Sequence, residues 1–519
     1  MSSQMGKIYP DIPKEKFQFA QIDKQLHDAK FTVKPIGYFK DAWLRFKKNK
    51  SSLAASVIIL LIALFAIIVP YISPYTISDY DGVYAKMRPK TNFLGGMGIM
   101  DGTYLKVLND KYYIYLHGIG IGVADTDGNG RTWQQGLENE MTPIRTEGDI
   151  YKSAGKEYRD AQVDSYFEVG FKYLTVTKAD LEKLLAWQEE SGLQVVYPMV
   201  DINSKWCDSY NQGDGNYWYR HSSNGTPLDQ KGKKMTLENV MATGLVDNYL
   251  RDAQGNIMYY MPKDKNMLMI RVLYYNYYQY LHGSEPLHFF GTDAQGYDIL
   301  TRLAYGVRLS LLLSLCVSAI NLIIGTLYGA VEGFYGGILD LILERVSDVL
   351  NGMPFMVVAT LFSLHLVNPG KVSPFVGILL AFNSVGWLGL AYRVRTQFYR
   401  FKNQEYVLAA RTLGAKDARL MFKHIFPNTL GTTITTSVLV IPGVILTESV
   451  MSYLGIINFN SSTTISLGTM LANGQDYLAT DPHILLFPAL IISLLMISFN
   501  LFGNGLRDAF NPTLRGAEE

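Results

Sequence analysis

Net charge is almost missing from this chain. Over 519 residues, 47 Lys and Arg stand against 46 Asp and Glu, a formal +1, which removes the electrostatic reason to expect nucleic acid as a partner. Cysteine is nearly missing too. Cys207 and Cys316 lie far apart, one in polar and one in apolar surroundings. They read as free thiols and exclude a disulfide framework or a thiolate metal site. No G-x-x-x-x-G-K-[ST] occurs, so the chain is not expected to bind ATP itself. His117, His221, His282 and His288 are scattered, without Asp, Ser or Cys at spacings that suit hydrolytic chemistry. The first 50 residues are polar and the first apolar run is long enough to stay in a membrane, so no cleaved signal peptide is expected.

Long apolar runs, by contrast, are plentiful. A helix needs about 20 residues to cross roughly 30 Å of hydrocarbon, and "LAASVIILLIALFAIIVPYI" at 53–72 does so without a charge. Further runs predict spans at about 305–331, 349–367, 374–392, 430–454 and 484–504. The third, "PFMVVATLFSLHLV", is short and crosses only if its helix begins near Val349. The predicted class is an α-helical polytopic membrane protein with six transmembrane helices.

Basic residues set the orientation. Lys30, Lys34, Lys40, Arg45, Lys47, Lys48 and Lys50 precede the first span, so the arm 1–52 is expected in the cytoplasm. Six spans then return the tail 507–519, with Arg507 and Arg515, to the same side. The loop between spans four and five carries Arg393, Arg395, Arg400, Lys402, Arg411, Lys416, Arg419 and Lys423, whereas Gly455 to His483 contains no Lys or Arg. The two loops agree with the arm.

By the same alternation the block 73–290 is extracytoplasmic and too long for a plain loop. It holds about two-thirds of the 35 tyrosines. "EVGFKYLTV" and "LQVVYPMV" read as strands around a helix opened by Thr177 and Asp180 at capping-box spacing. Leu181, Leu184, Leu185 and Gln188 follow at helical spacing, and "NYLRDAQGNIMYYM" reads as a hairpin. A small α+β domain over roughly 95–285 is predicted. "DTDGNGRTW" from Asp125 has the start of a calcium loop, but Gly136 stands where the closing Glu belongs, so a tight turn is the better reading. "YYNYYQYLHG" from Tyr274 offers aromatic faces either to peptide side chains or, as the preferred reading, to the domain core and an interface.

The segment "EYVLAARTLGAKDARLMFKHIFPNTL", Glu405 to Leu430, is the most informative. Tyr406, Ala409, Ala410 and Leu413 share one helical face, with Asn403 as N-cap and Glu405 in the first turn. Gly414 sits at the C-cap position. Ala418, Met421, Phe422 and Ile425 mark a second helix, and Pro427 stops it or starts the next span. Paired alanines let a helix backbone approach a partner closely. The alternative is an amphipathic helix lying on lipid.

This segment resembles the coupling motif of permease subunits of binding-protein-dependent ABC importers. The motif has two alanines, a glycine four residues after the second and a proline thirteen beyond the glycine, matched by Ala409, Ala410, Gly414 and Pro427. Leu408, His424 and Phe426 depart from the usual Glu, Ile and Leu. "FFGTDAQGYDILTRLAYGVRLSLLLSL" is similar to the lead-in of dipeptide, oligopeptide and nickel permeases of the variety with a cytoplasmic N-terminal arm. Gly291, Thr292, Asp293, Gly296, Asp298, Arg302, Gly306 and Arg308 fit, and Tyr297 replaces an Arg. "GFYGGILDLILERVSDVLNGMP" and "GNGLRDAFNP" are similar to that family as well. The lead-in already starts at "RPKTNFLGG", and about 190 residues then intervene before it resumes, an unusual insertion.

The resemblance implies a type I ABC importer-like core over 291–506 with a coupling helix at 404–413. It implies a second homologous permease subunit, two ATP-binding subunits that hold ATP and Mg, and an extracytoplasmic substrate-binding lipoprotein. The chain itself would bind no cofactor and catalyse no reaction. Its setting would be the lipid bilayer of a bacterial or archaeal cytoplasmic membrane. Expected coupling residues are Glu405, Tyr406, Ala409, Ala410, Arg411, Gly414, Lys416 and Pro427. Arg411, Lys416 and Arg419 serve either ATPase contact or simple anchoring. Glu448, Asn383 and Asn321, polar residues inside spans, are candidates for the pathway, with interhelical hydrogen bonding the alternative for Glu448. Asp340, Glu344 and Asp348 form a helical stripe expected to brace the coupling loop. Oligopeptides or dipeptides are the expected substrates, with nickel or another small solute as the alternative. A membrane-anchored extracytoplasmic receptor and a secondary transporter fit less well, since neither explains the helix–glycine–helix loop and inverted repeats are not evident.

Overall fold

The computed structural model describes residues 37–153, 155–208, 213–459, 461 and 463–510. The charges at Lys30, Lys34 and Arg515 and the end of "GNGLRDAFNP" lie outside those residues. Helix α1, Tyr38–Lys48, is a short amphipathic helix that the reading of a polar arm missed. Its Ala42 and Phe46 are buried against Ala509 and Phe502 of the last helix. Asn49 alone separates it from α2, Lys50–Ile72, and the Asn49 side chain caps α2 by accepting from the Ser52 amide at 3.3 Å.

The chain then forms the central block. A three-stranded antiparallel sheet in the order β1-β3-β2 comprises β1, Thr103–Asn109, β2, Ile144–Ser153, and β3, Lys156–Asp164. A second antiparallel sheet has β7, Met267–Leu273, at its centre. On one side of it lies β4, Phe171–Thr177, and the other side is shared by β5, Val196–Tyr197, and β6, Tyr260–Asp264. Helix α3, Asp110–Ala124, is buried along most of its length. Leu116, Ile119 and Ile121 pack among Phe171, Tyr197, Trp218 and Tyr219. Helix α4, Lys178–Ser191, starts at the expected Thr177 cap, which accepts from the Asp180 amide at 3.1 Å. Leu181 and Leu184 are buried, Leu185 is exposed, and the Gln188 side-chain Oε1 accepts from the Val195 and Val196 amides.

One local expectation is corrected and two are made more specific. "LQVVYPMV" yields only the two-residue β5, because the Gln188 side chain occupies the amides that a longer strand would use. The stretch from Asn248 does form a short hairpin, with Arg251 bridged to Ile257, Met258 N bonded to Leu250 O and the turn at Gly255, while a longer regular hairpin is β6–β7. "YYNYYQYLH" is a helix, α5, Tyr274–His282, whose tyrosines pack within the chain. Tyr274, Tyr275 and Tyr278 cluster with Tyr84 and Tyr166, and the Tyr274 hydroxyl donates to Asp81 at 2.8 Å.

The membrane helices follow. Helix α6, Ile299–Tyr335, runs 37 residues and extends the expected span at both ends. Helix α7, Gly337–Asn351, and α8, Phe355–Phe362 with its continuation to Val367, meet at a bend of 75°. This corrects the expected span 349–367, since Val349 belongs to the helix before the bend. Pro354 lacks an amide hydrogen and ends the continuity at that point. Helices α9, Pro374–Val385, and α10, Leu388–Phe401, form the fourth span. Helix α11, Glu405–Thr412, is short. The stretch Asp417–Tyr453 is continuous through a π-helical turn at Leu420–Ile425 and includes α12, Phe426–Tyr453. The second short helix is therefore the start of the fifth span. Helix α13, Leu467–Gly474, precedes α14, His483–Phe510. Among the described residues five helices are long and apolar enough to cross a membrane, and six if the bent pair counts as one span.

Candidate functional site

Helix α11 begins at Glu405 with Gln404, not Asn403, in the cap position, and no side chain caps it. The expected face Tyr406–Ala409–Ala410–Leu413 is not the face turned inward. Val407 is fully buried and Ala410 packs beside it, in a cluster with Ala330, Phe334, Val394, Phe398, Leu420, Met421 and Ile425. Tyr406, Leu408 and Ala409 are exposed, and Leu413 is 88% exposed. The helix is thus seated by one edge on the ends of α6 and α10 and leaves an apolar strip uncovered. A burial-driven fold leaves such a strip mainly where another surface covers it.

The turn after α11 depends on Gly414, whose φ of +83° suits glycine. A Cβ there would meet no atom within 4 Å, so the need is torsional and not steric. Lys416 and Arg419 are exposed, as is Arg411, whose guanidinium lies 5.9 Å from the Phe334 ring centre. Pro427 is the second residue of α12 and directly follows the π-helical turn Leu420–Ile425, where the regular i to i−4 ladder is already interrupted. The Tyr406 hydroxyl accepts from Asn428 at 3.0 Å and ties α11 to α12.

The lead-in residues form a compact frame at the other end of α6. Asp298 caps that helix by accepting from the Thr301 amide at 2.8 Å, and its second oxygen faces His288 Nδ1 at 3.0 Å. Asp293 pairs with the buried Arg302 at 3.0 Å, and Thr292 Oγ1 accepts from the Met87 amide and donates to the Tyr84 carbonyl. Residues before and after the central block pair directly: Lys86 N donates to Asp293 O at 2.9 Å and Lys90 N to His288 O at 2.9 Å. The chain leaves for the block at Lys90 and returns one hydrogen bond away.

The polar residues inside the spans separate into two kinds. Glu448 has no exposed surface and accepts from Ser452 of its own helix at 2.9 Å and, across to α6, from Ser310 at 3.3 Å, an interhelical bond. Asn321 and Asn383 each hold a buried amide oxygen that finds no donor among the described residues. In the central block the Asp125 and Asp127 carboxylates converge on Arg131, at 3.5 and 3.0 Å, where a cation would sit in a calcium loop. Burial raises the Asp125 carboxyl above its ordinary range. The turn is closed by a guanidinium.

The acidic stripe was foreseen as a brace, but its partner was not, and Asp348 pairs with Arg345 instead of joining it. Arg395, read only as an inside charge, is gripped by Asp340 and Glu344 of α7 and lies 3.5 Å from Glu332. Tyr399 also donates to Asp340, and Lys402 donates to the Gly333 carbonyl at 2.9 Å. The signal was present, since Arg395, Tyr399 and Lys402 recur at i, i+4, i+7 on the face adjoining Val394 and Phe398.

With this geometry in hand, similarity to known proteins is specific. Residues 321–516 match the model of a binding-protein-dependent transport system inner membrane component, and 37–89 match the N-terminal transmembrane domain of oligopeptide transport permease C. The oligopeptide transport system permease protein OppC of Bacillus subtilis is 41% identical over 228 residues, 44% of this chain and 72% of that protein. The chain belongs to the binding-protein-dependent transport permeases. The dipeptide transport system permease protein DppC of the same organism is also 41% identical, over 44% of this chain and 69% of its own length. OppC of Haemophilus influenzae is 40% identical over 44% and 71%. Residues 90–320 of this permease lie outside both family matches. The protein is a helical, multi-pass component of the cell membrane that works as a transport subunit.

Proposed function

We propose that this permease is one of two transmembrane subunits of an ATP-driven importer of oligopeptides or dipeptides, built on a type I importer-like core. The observation that carries the reading is α11. It is a short helix between two spans, seated by Val407 and Ala410 and uncovered at Tyr406, Ala409 and Leu413, in a loop rich in basic residues. ATP and Mg are bound and turned over on two separate ATPase subunits. Closure of those subunits displaces α11 and shifts the spans between two arrangements, a two-state element biased from a distant site. Glu405, Tyr406, Ala409, Ala410, Arg411, Gly414, Lys416 and Pro427 make or shape this contact. The peptide assignment is supported by the relatives named as peptide permeases. Asn321 and Asn383, with free buried acceptors, are the pathway candidates that remain, while Glu448 holds helices together.

The termini face the cytoplasm and the central block lies outside, an insertion into the lead-in that caps the pathway and docks a substrate-binding protein. The test is co-expression of the full operon in a peptide auxotroph, with purification through a tag on this chain. The ATPase subunits and a second permease are expected in the eluate, with ATP-dependent uptake of labelled di- to pentapeptides. An eluate without ATPase subunits refutes the coupling reading, and uptake of nickel without uptake of peptides refutes the substrate.

A further inference from the structure

Helix α10 presents two faces at its cytoplasmic end. Val394 and Phe398, both buried, join the cluster on which α11 rests. The adjoining face, about a quarter-turn round the helix, carries Arg395, Tyr399 and Lys402. The Arg395 guanidinium meets Asp340 at 2.7 and 3.0 Å and Glu344 at 2.9 and 3.2 Å, so that every nitrogen of the fork is used. Only 14% of that side chain and 11% of Asp340 are exposed, so the Asp340 pair is held in one geometry away from bulk water, while Glu344 closes the fork from the exposed side.

The helix this fork holds is otherwise attached mainly in its second half. Helix α7 turns an apolar side away from the chain, with Ile338 78%, Ile342 58% and Val349 71% exposed. Its further polar tethers are the Tyr399 hydroxyl on Asp340, a hydrogen bond from the Tyr328 hydroxyl to the Leu343 carbonyl at 2.7 Å and one from Ser347 to the Tyr328 hydroxyl at 3.4 Å. After α7 comes the 75° bend and the apolar segment Phe355–Val367. The path from α11 to the broken span therefore runs through the body of α10 and crosses to the first half of α7 at the Arg395 fork, with Leu350 packed on Trp387, Leu388 and Ala391 further along.

We propose that Arg395 is the positioning residue that makes α7 and the broken third span follow the coupling helix. The inference rests on the reading of α11 as the ATPase contact. An apolar contact between α10 and α7 would let the helices slide. A forked ion pair with two carboxylates one helical turn apart fixes both position and rotation, as a lysine in its place would not. When α11 moves, Val407 pushes on Val394 and Phe398, α10 shifts, and Asp340 and Glu344 carry α7 with it.

The experiment uses the complete importer in proteoliposomes, with hydrolysis and uptake measured together for Arg395→Gln, Arg395→Lys and Glu344→Gln. Hydrolysis is expected to continue in Arg395→Gln while peptide taken up per ATP falls roughly tenfold, the scale at which coupling networks act. The lysine and Glu344→Gln variants fall in between. Spin labels at Val349→Cys and Ile497→Cys lose their nucleotide-dependent change in distance. An unchanged uptake-to-hydrolysis ratio, whether both rates drop together or neither does, overturns the proposal. If Arg395→Gln does not assemble, the same ratio in Glu344→Gln decides. Leu413→Cys in the otherwise unaltered chain should cross-link to an ATPase subunit. Absence of that cross-link defeats the reading of α11, which is a different failure from an unchanged ratio.

Discussion

At the scale of single residues, the side chains that matter most answer a backbone need. Pro70 lies inside α2 and removes the amide that would bond the Ala66 carbonyl. Arg308 from α6 supplies the missing donors, with Nε at 3.2 Å and Nη2 at 3.0 Å from that oxygen. Arg308→Met is expected to destabilise the assembled complex by about 1.5–3 kcal/mol, the worth of a hydrogen bond to a charged group. Pro70→Ala in the same chain restores the amide and should return most of the loss, as thermal unfolding in detergent would register. Gly414 poses a purely torsional requirement. Uptake is expected to fall in the order Gly, Asn, Ala, Val at that position, because asparagine tolerates positive φ and a β-branched residue does not. Equal uptake for Asn and Val would mean that the turn is not held in this conformation during transport.

At the scale of elements, helix α3 shows close approach overruling propensity. Glycine costs a helix roughly 0.5–1 kcal/mol relative to alanine. Yet a Cβ on Gly120 would stand 2.9 Å from both the Gly136 carbonyl oxygen and Thr142 Oγ1. The clash term of about 1–3 kcal/mol for overpacking exceeds the propensity gain. Gly120→Ala should therefore weaken the central block, and amide exchange along Asp110–Ala124 in the intact protein should speed up. Exchange slower than in the parent would show that the helix can shift to make room. The amphipathic α1 and the two-residue β5 belong to this scale as well. Each was misjudged because an apolar face or a strand pattern says what can pair, not what arrives to pair with it.

At the scale of the whole molecule, the central block is attached at one point. The hydrogen bond from Lys90 N to His288 O means that the flanking segments already lie side by side like hairpin strands. Replacing 91–287 with a two- or three-residue Asn-Gly type turn is expected to leave the membrane core foldable. The complex with ATPase subunits should still form, and binding-protein-dependent uptake should drop. Tyr84, now fully buried beneath Tyr166, Tyr274 and Tyr278, is exposed by the excision, so the shortened chain is best tested with Tyr84→Ser. Loss of assembly on gel filtration would assign the block a structural task in place of docking.

Membrane residence, the number of apolar runs and the family were legible in the residues alone. Hydrocarbon demands long uncharged stretches, and the coupling and lead-in motifs are local spacings. The glycine turn at Gly414 and the Thr177 cap were legible for the same reason, since each requirement is met within a few residues. Three features were decided only in three dimensions: which edge of α11 is buried, how the third span breaks, and how Arg395 binds Asp340 and Glu344 across more than fifty positions of chain. Those depend on partners remote in sequence, and a stripe of charges or alanines looks the same whether it meets a carboxylate, a lipid or another subunit. Only packing, which spends each face once, distinguishes them.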